Sequence, residues 1–174
     1  MNNHYLSLTL GMIGGSALFA APMPEKAELL ASNTVVAQYM GTQERPCYFR
    51  TALCPDRCDH AAKVANFVVL VNENYSKPGK YGDDKAEVGS VIMIDMKNDI
   101  PGQDEAVNKL IETLQPGDTV RLTQDHYYGE IGCCMTPFRP VTKMEKAEKP
   151  DNAPEVPAEQ AEQHPVMPIM PRVR

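Results

Sequence analysis

The sequence has no tryptophan and no excess of basic residues: 17 Lys and Arg face 23 Asp and Glu, a formal net charge of −6 at pH 7. The region that we predict to fold, residues 32–142, keeps this balance, with 11 basic against 15 acidic residues and no basic stripe. Because nucleic-acid binding depends on Lys and Arg neutralising backbone phosphates, the composition predicts no nucleic-acid partner.

Recognisable catalytic motifs are also missing. The chain has no Gly-x-Ser-x-Gly elbow, no His-Glu-x-x-His helix and no phosphate-cradling loop. A binding or structural module is therefore more strongly indicated than an enzyme.

Charge is absent from residues 5–21, which are rich in Leu, Ile, Met, Phe, Ala and Gly. The run is shorter and more glycine-broken than a membrane-spanning helix of about 20 apolar residues, and its length fits the apolar region of a secretory signal peptide. Small residues precede Pro22, although the first four residues hold no Lys or Arg and no A-x-A site is present there. We predict a signal peptide over residues 1–21 and a periplasmic or secreted protein, not membrane-embedded after cleavage. A buried helix and a retained anchor are the alternatives.

The chain that follows is long enough for one domain. Residues 22–31 are predicted to be a short linker, and residues 32–142 the folded domain. Residues 143–174 contain six prolines, six acidic residues and no aromatic residue. Such a stretch buries too little apolar area to offset the entropy lost on ordering, so the sequence predicts a disordered Pro- and Glu-rich tail.

Apolar periodicity divides the domain into five strands and one helix. The run Phe67–Val71 is continuously apolar and β-rich, the strongest strand signal in the chain. Val107, Leu110, Ile111 and Leu114 fall at helical spacing between two Pro-Gly pairs, so they predict one amphipathic helix. The predicted strands are 34–42, 67–75, 88–96, 119–128 and 138–145.

The order strand-strand-strand-helix-strand-strand resembles that of the OB-fold, a five-stranded Greek-key β-barrel. The approach to the fourth strand, from Ile111 to Leu122, also resembles that of many small barrels. The resemblance implies a mainly β fold with an OB-like barrel. Another small antiparallel barrel or an α+β roll has the same element order, and both alternatives stay open.

The densest group of metal-binding or disulfide-forming side chains lies at residues 47–60, in the connection between the first two strands. Its pattern is C-x6-C-x3-C-x-H. Within it, the segment TALCPDRCDH at 51–60 resembles a segment of small exported bacterial proteins. That resemblance implies export but no particular activity.

Disulfides are the first interpretation of these cysteines outside the cytoplasm, because each bridge stabilises a small domain by roughly 2–4 kcal/mol. The chain has five cysteines, so at least one is left over. Cys133 and Cys134 are adjacent, and a bridge between neighbours strains the backbone. A bridge from one of them to Cys47, Cys54 or Cys58 is the more natural pairing.

A metal site is the second interpretation. Cys47, Cys54, Cys58 and His60 offer three thiolates and an imidazole, a donor set that suits tetrahedral Zn²⁺ or a soft ion such as Cu(I). A helical turn after Cys54 would set it and Cys58 on one face, four residues apart. His126, on the fourth predicted strand, is a further candidate ligand.

Thiol redox chemistry is a third and more remote interpretation. Cys54 at the start of a helical turn would have a lowered thiol pKa, and Cys58 could resolve a mixed disulfide. The usual redox pair is C-x-x-C, however, whereas this spacing is C-x3-C, and the sequence lacks the strand and helix pattern of thioredoxin.

His126, Tyr127 and Tyr128 form a second candidate site, near the end of the fourth strand. In a domain stapled by disulfides, these side chains are predicted to bind a peptide, a glycan or an envelope protein. The plainer interpretation of His126 is a polar residue with satisfied hydrogen bonds at a strand end.

Overall fold

Seven elements make up the part of the chain that the computed structural model describes, residues 21–45, 62–97, 99–132 and 134–154. Six are strands and one is a helix, which confirms the predicted mainly β fold. In chain order they are β1 (Glu28–Arg45), β2 (Ala62–Ser76), β3 (Val91–Asp95), α1 (Glu105–Thr113), β4 (Thr119–Ile131), β5 (Cys134–Phe138) and β6 (Val141–Lys146).

The six strands form one antiparallel sheet in the order β3-β2-β1-β4-β5, with β6 also paired to β4. The long strand β1 pairs with β2 on one side and with β4 on the other. Its ladder with β2 shifts register at three points, and such bulges bend and twist a strand. Within the described ranges, β3 and β6 are not paired.

The core lies on one face of this sheet, where the helix packs. Side chains of a strand alternate between its two faces, and alternate residues of β1 and β2 enter the core. Phe67 is fully buried, with its ring centroid 5.2 Å from that of Tyr39. The predicted helical stripe is confirmed, because Val107, Ile111 and Leu114 are all buried in the same core.

Helix α1 has a polar cap at its start and a glycine turn after its end. The carboxylate of Asp104 accepts a hydrogen bond of 2.8 Å from the N–H of Ala106, which satisfies a donor that a helix start leaves unpaired. At the other end, Gly117 has a φ of 100°, in the left-handed region that favours glycine. The chain then turns directly into β4.

Several boundaries differ from the predicted ones, and three of these differences change the limits of the domain or the number of strands. β1 begins at Glu28, so residues 28–31, predicted as linker, belong to the sheet, and Leu30 is buried there. The predicted fifth strand is divided into β5 and β6 at Pro140, which has no N–H to donate and whose carbonyl accepts a hydrogen bond of 3.1 Å from the N–H of Asp125. Strand β6 also extends to Lys146, inside the predicted tail.

Residues 147–154, the described part of the predicted tail, form neither helix nor strand. No helix in the described ranges is long and apolar enough to cross a membrane. Residues 1–20 and 155–174 lie outside those ranges, so the signal peptide and the disorder of the tail stay predictions.

Candidate functional site

Residues 46–61, which contain the four candidate metal ligands Cys47, Cys54, Cys58 and His60, are outside the described ranges. Cys133 is also outside these ranges. Cys134 is exposed at the first position of β5. The metal, disulfide and redox interpretations of the cysteines therefore stay predictions. What the structure does describe is the base from which residues 46–61 extend.

That base is a regular two-stranded ladder. Five consecutive pairs run without a register shift from Gly41–Asn66 to Arg45–Ala62. At the end of the ladder, the guanidinium of Arg45 contacts the carboxylate of Asp95 at 2.8 Å. This ion pair ties the end of β1 to the end of β3, so the Cys/His-rich connection begins and ends on a fixed part of the sheet.

His126 lies on the core face of β4, beyond the apolar residues. In an antiparallel pair, directly opposite residues point to the same face. Val120 and Leu122 are in the core, and Gln124 and His126 follow on the same face by the two-residue period. His126 lies opposite Ala31 and is only 6% exposed.

Residues 77–90, which we call the strap, connect β2 to β3 and pass over this end of the core face. The N–H of Gly79 donates to the carbonyl of Leu30 at 3.1 Å. A Cβ at Gly82 would lie 2.6 Å from the Leu30 carbonyl carbon and 2.9 Å from the Cβ of Ala31. Only glycine allows so close an approach, and the strap thereby reaches from β2 across β1 to β4.

Asp83 fastens the strap through three of its own groups, two of which contact residues beyond β1. Its carboxylate accepts two hydrogen bonds from Arg139, of 2.6 and 2.8 Å. Its N–H donates to Nδ1 of His126 at 3.1 Å, and its carbonyl accepts from the hydroxyl of Tyr75 at 3.0 Å. We call Asp83, His126 and Arg139 the latch.

The charges and the burial of the latch shift the pKa values of Asp83 and His126. The hydrogen bonds from Arg139 lower the pKa of the Asp83 carboxyl. Burial lowers the pKa of His126, and the Arg139 charge adds to this effect, while the nearby Asp83 carboxylate opposes it. The neutral imidazole is therefore favoured, with Nδ1 as acceptor and the proton on Nε2. Nε2 is buried and has no hydrogen-bond partner among the described residues.

The three residues of the predicted binding face are not equivalent. Tyr127 points to the opposite side of β4 from His126, and its ring is stacked on Phe138 with centroids 5.5 Å apart. Tyr128 is 39% exposed. Two other exposed apolar side chains, Ile131 and Met135, lie on the same β4–β5 hairpin. Of the predicted face, Tyr128 is thus the residue most available to a partner.

In the described part of the chain, no group of three or more His, Cys, Asp or Glu side chains is arranged to hold a metal ion. Comparisons with protein-family models, with curated proteins and with solved structures give no match to this chain. The chain's own residues and their geometry are therefore the basis for assigning a function.

Proposed function

We propose that this protein is an exported binding module that holds a soft transition metal ion, Zn²⁺ or Cu(I), in the connection between β1 and β2. The proposed ligands are Cys47, Cys54, Cys58 and His60. The observation that carries the proposal is the register of the ladder from which this connection extends.

The register supports bringing the first and last proposed ligands close together. The final described pair is Arg45–Ala62, and the four pairs before it have the same register. In the sequence, Cys47 follows Arg45 by two residues and His60 precedes Ala62 by two. Opposite residues in an antiparallel pair have Cβ atoms about 4.5–5.5 Å apart, so the two ends of the connection are fixed next to each other and ligands this near to them need little chain to reach one tetrahedral ion. Cys54 and Cys58 lie between Cys47 and His60 in the chain.

The strand arrangement supports a barrel of the OB type as the scaffold. β1 lies between β2 and β4, β2 pairs with β3, β6 pairs with β4, and α1 lies between β3 and β4 in the chain. These are the neighbours of an OB-fold, short of the closing pair between β3 and β6. OB-folds bind ligands with the loops that follow their first and fourth strands. In this chain those two connections, with the first residue of β5, contain all five cysteines.

We expect protein purified without reductant from its native compartment to carry one metal ion per chain, with its thiols intact. Cys54→Ser should lose the ion, because a thiolate donor is replaced by a hydroxyl, which is a poor ligand for Zn²⁺ or Cu(I). Native and denaturing mass spectrometry together with elemental analysis measure both quantities. Cys134→Ser is the matched control: it removes an exposed cysteine outside the proposed set and should keep the ion.

Two outcomes contradict the metal site. The first is protein with no bound metal whose denatured mass is lower than that of the reduced chain by two hydrogen atoms for each pair of cysteines. This outcome supports the disulfide interpretation instead. The second is an ion that Cys54→Ser retains. His126→Asn should also keep the ion, since Nδ1 of His126 already accepts the Asp83 N–H.

Partner binding is a second candidate function, favoured by the exposed apolar side chains of the β4–β5 hairpin. Tyr128, Ile131 and Met135 are 39%, 37% and 51% exposed. Aromatic and Met side chains are enriched at interfaces. In this proposal a disulfide-stapled domain presents the hairpin to a peptide, a glycan or an envelope protein.

Tyr128→Ala is then expected to weaken capture of an envelope partner by about tenfold or more, as loss of an aromatic anchor does, with little change in thermal stability. Pull-down from envelope extract, followed by titration of the captured component, measures the loss. Tyr81→Ala is the control, because Tyr81 is 77% exposed but lies on the strap. Equal capture by wild type and Tyr128→Ala would count against the proposal.

A further inference from the structure

We propose that the strap is a proton-released cover: protonation of His126 breaks the latch and detaches residues 77–90 from β1 and β4. Release would expose the polar end of the core face, where Asn33, Gln124 and His126 lie beyond the apolar core. This device is separate from the metal site proposed above, and neither depends on the other.

The strap is held by polar contacts and not by buried apolar side chains. Gly79 is its one buried residue, and it has no side chain to pack. Beyond the latch, the strap is attached to β1 by the hydrogen bonds from Gly79 to Leu30, at 3.1 Å, and from the N–H of Ala86 to Oδ1 of Asn33, at 3.0 Å. To β2 it is attached by the bond from Asn72 to the carbonyl of Ala86, at 3.3 Å, and at its end by two backbone bonds to Val69, of 2.8 and 2.9 Å. An open groove of about 830 Å³ lies beside its second half. Segments held in this way open locally at low cost, and the latch is the attachment that holds the strap to β4 and to Arg139.

Protonation changes the latch at one atom. Nδ1 of neutral His126 accepts the N–H of Asp83. Once Nδ1 carries a proton, two N–H groups face each other and that hydrogen bond is lost. The Asp83 carboxylate lies 3.1 Å from Nδ1 and attracts the new charge, but each of its oxygens already accepts a hydrogen bond from Arg139, so the imidazolium competes with the guanidinium for the same carboxylate.

The charged groups around His126 come from two segments packed against it. Asp83 of the strap attracts an imidazolium, and Arg139, between β5 and β6, repels it. Lys77 of the strap lies farther out and acts on Asp83. Opposite His126 on β1 is the uncharged Ala31. Burial and the guanidinium therefore work together against a charged imidazole in the closed form.

The sign of the pH dependence follows from linkage. The pKa of His126 is lowered in the closed form, so the open form, with an ordinary histidine pKa near 6.5, binds the proton more tightly. The closed form is fully favoured above that pH and loses stability as the pH falls below it. The lowered pKa of Asp83 has the same sign but acts in a more acidic range. Between pH 7.5 and 5, His126 is thus the group that releases the strap.

Hydrogen exchange on the full chain tests this release. After correction for the intrinsic effect of pH on exchange, strap amides should lose protection by about tenfold or more between pH 7.5 and 5.0, since each pH unit shifts the equilibrium by up to tenfold per proton. Amides of the buried run Phe67–Val71 should not change, except that of Val69, whose N–H donates to Ser90 of the strap and which is left out of the control. In His126→Asn, which keeps a side-chain acceptor near the Nδ1 position but cannot take up a proton, strap protection should not depend on pH.

Two results overturn the proposal. One is protection of the strap amides in the wild type that does not vary with pH, and the other is a loss of protection in folded His126→Asn as large as that in the wild type. If His126→Asn does not fold, as judged by circular dichroism, an NMR titration of the wild type is the test. The His126 ring signals and the strap amide signals must then titrate with a common midpoint, and separate midpoints refute the release mechanism.

Discussion

Phe67→Ala is expected to lower the free energy of unfolding by about 3–5 kcal/mol, the usual cost of removing a large aromatic side chain from a core. The side chain of Phe67 is fully buried. Its ring packs against Tyr39 across the β1–β2 ladder, and the same core contains Ile94 and the helix residue Ile111. Because small domains are stable by only about 5–15 kcal/mol, this variant should be near the limit of folding at room temperature.

Urea unfolding followed by circular dichroism measures the loss. Met93→Ala is the matched control, because Met93 lies on β3, opposite Asn66 in the neighbouring ladder, and is 54% exposed. Surface truncations of this kind usually change stability by no more than about 0.5 kcal/mol. If Phe67→Ala lowers the free energy of unfolding by less than about 1 kcal/mol, the ring is not packed as described, because truncating a buried aromatic side chain destabilises a protein by more than that.

Much of the fold could be predicted from the sequence because its signals are local. The continuous apolar run at 67–71 predicts a buried strand, and helical spacing of Val107, Ile111 and Leu114 predicts the packed face of α1; the structure confirms both. The start of β1 could not be found in this way. Residues 28–31 show no strand pattern, and their pairing depends on β4 and on the glycines of the strap.

The candidate sites differ in the same way: one is built from residues close together in the sequence and the other from residues far apart. The Cys/His cluster is visible because its members lie within 14 residues of one another in the chain. The latch is not, since Asp83 and Arg139 are 56 residues apart and His126 is 43 residues from Asp83. Asp83 follows a glycine and a second aspartate follows it, a pattern typical of a turn. Only the crossing of the strap over β1 brings these three residues together.

Gly82→Ala is expected to detach the strap and to destabilise the protein by about 1–3 kcal/mol or more, the range for atoms forced into a well-packed contact. The new methyl group would lie 2.6 Å from the carbonyl carbon of Leu30, closer still to the carbonyl oxygen, and 2.9 Å from the Cβ of Ala31. Two of these atoms are backbone in a paired strand, so the strap is the part that has to move. Asp83 follows directly and would be drawn away from His126 and Arg139.

Gly132→Ala separates crowding from backbone strain. Gly132 has a φ of 65°, which an L-residue adopts at a cost of about 1–2 kcal/mol, but a Cβ there would meet no atom of the described residues within 4 Å. Both variants should therefore lose stability, whereas only Gly82→Ala should show strap amides that exchange rapidly at pH 7.5. Because the strap of Gly82→Ala is already open, the protection of its strap amides should not decrease further between pH 7.5 and 5.0. Full strap protection in Gly82→Ala at pH 7.5 would show that the contact with Leu30 does not hold the strap in place.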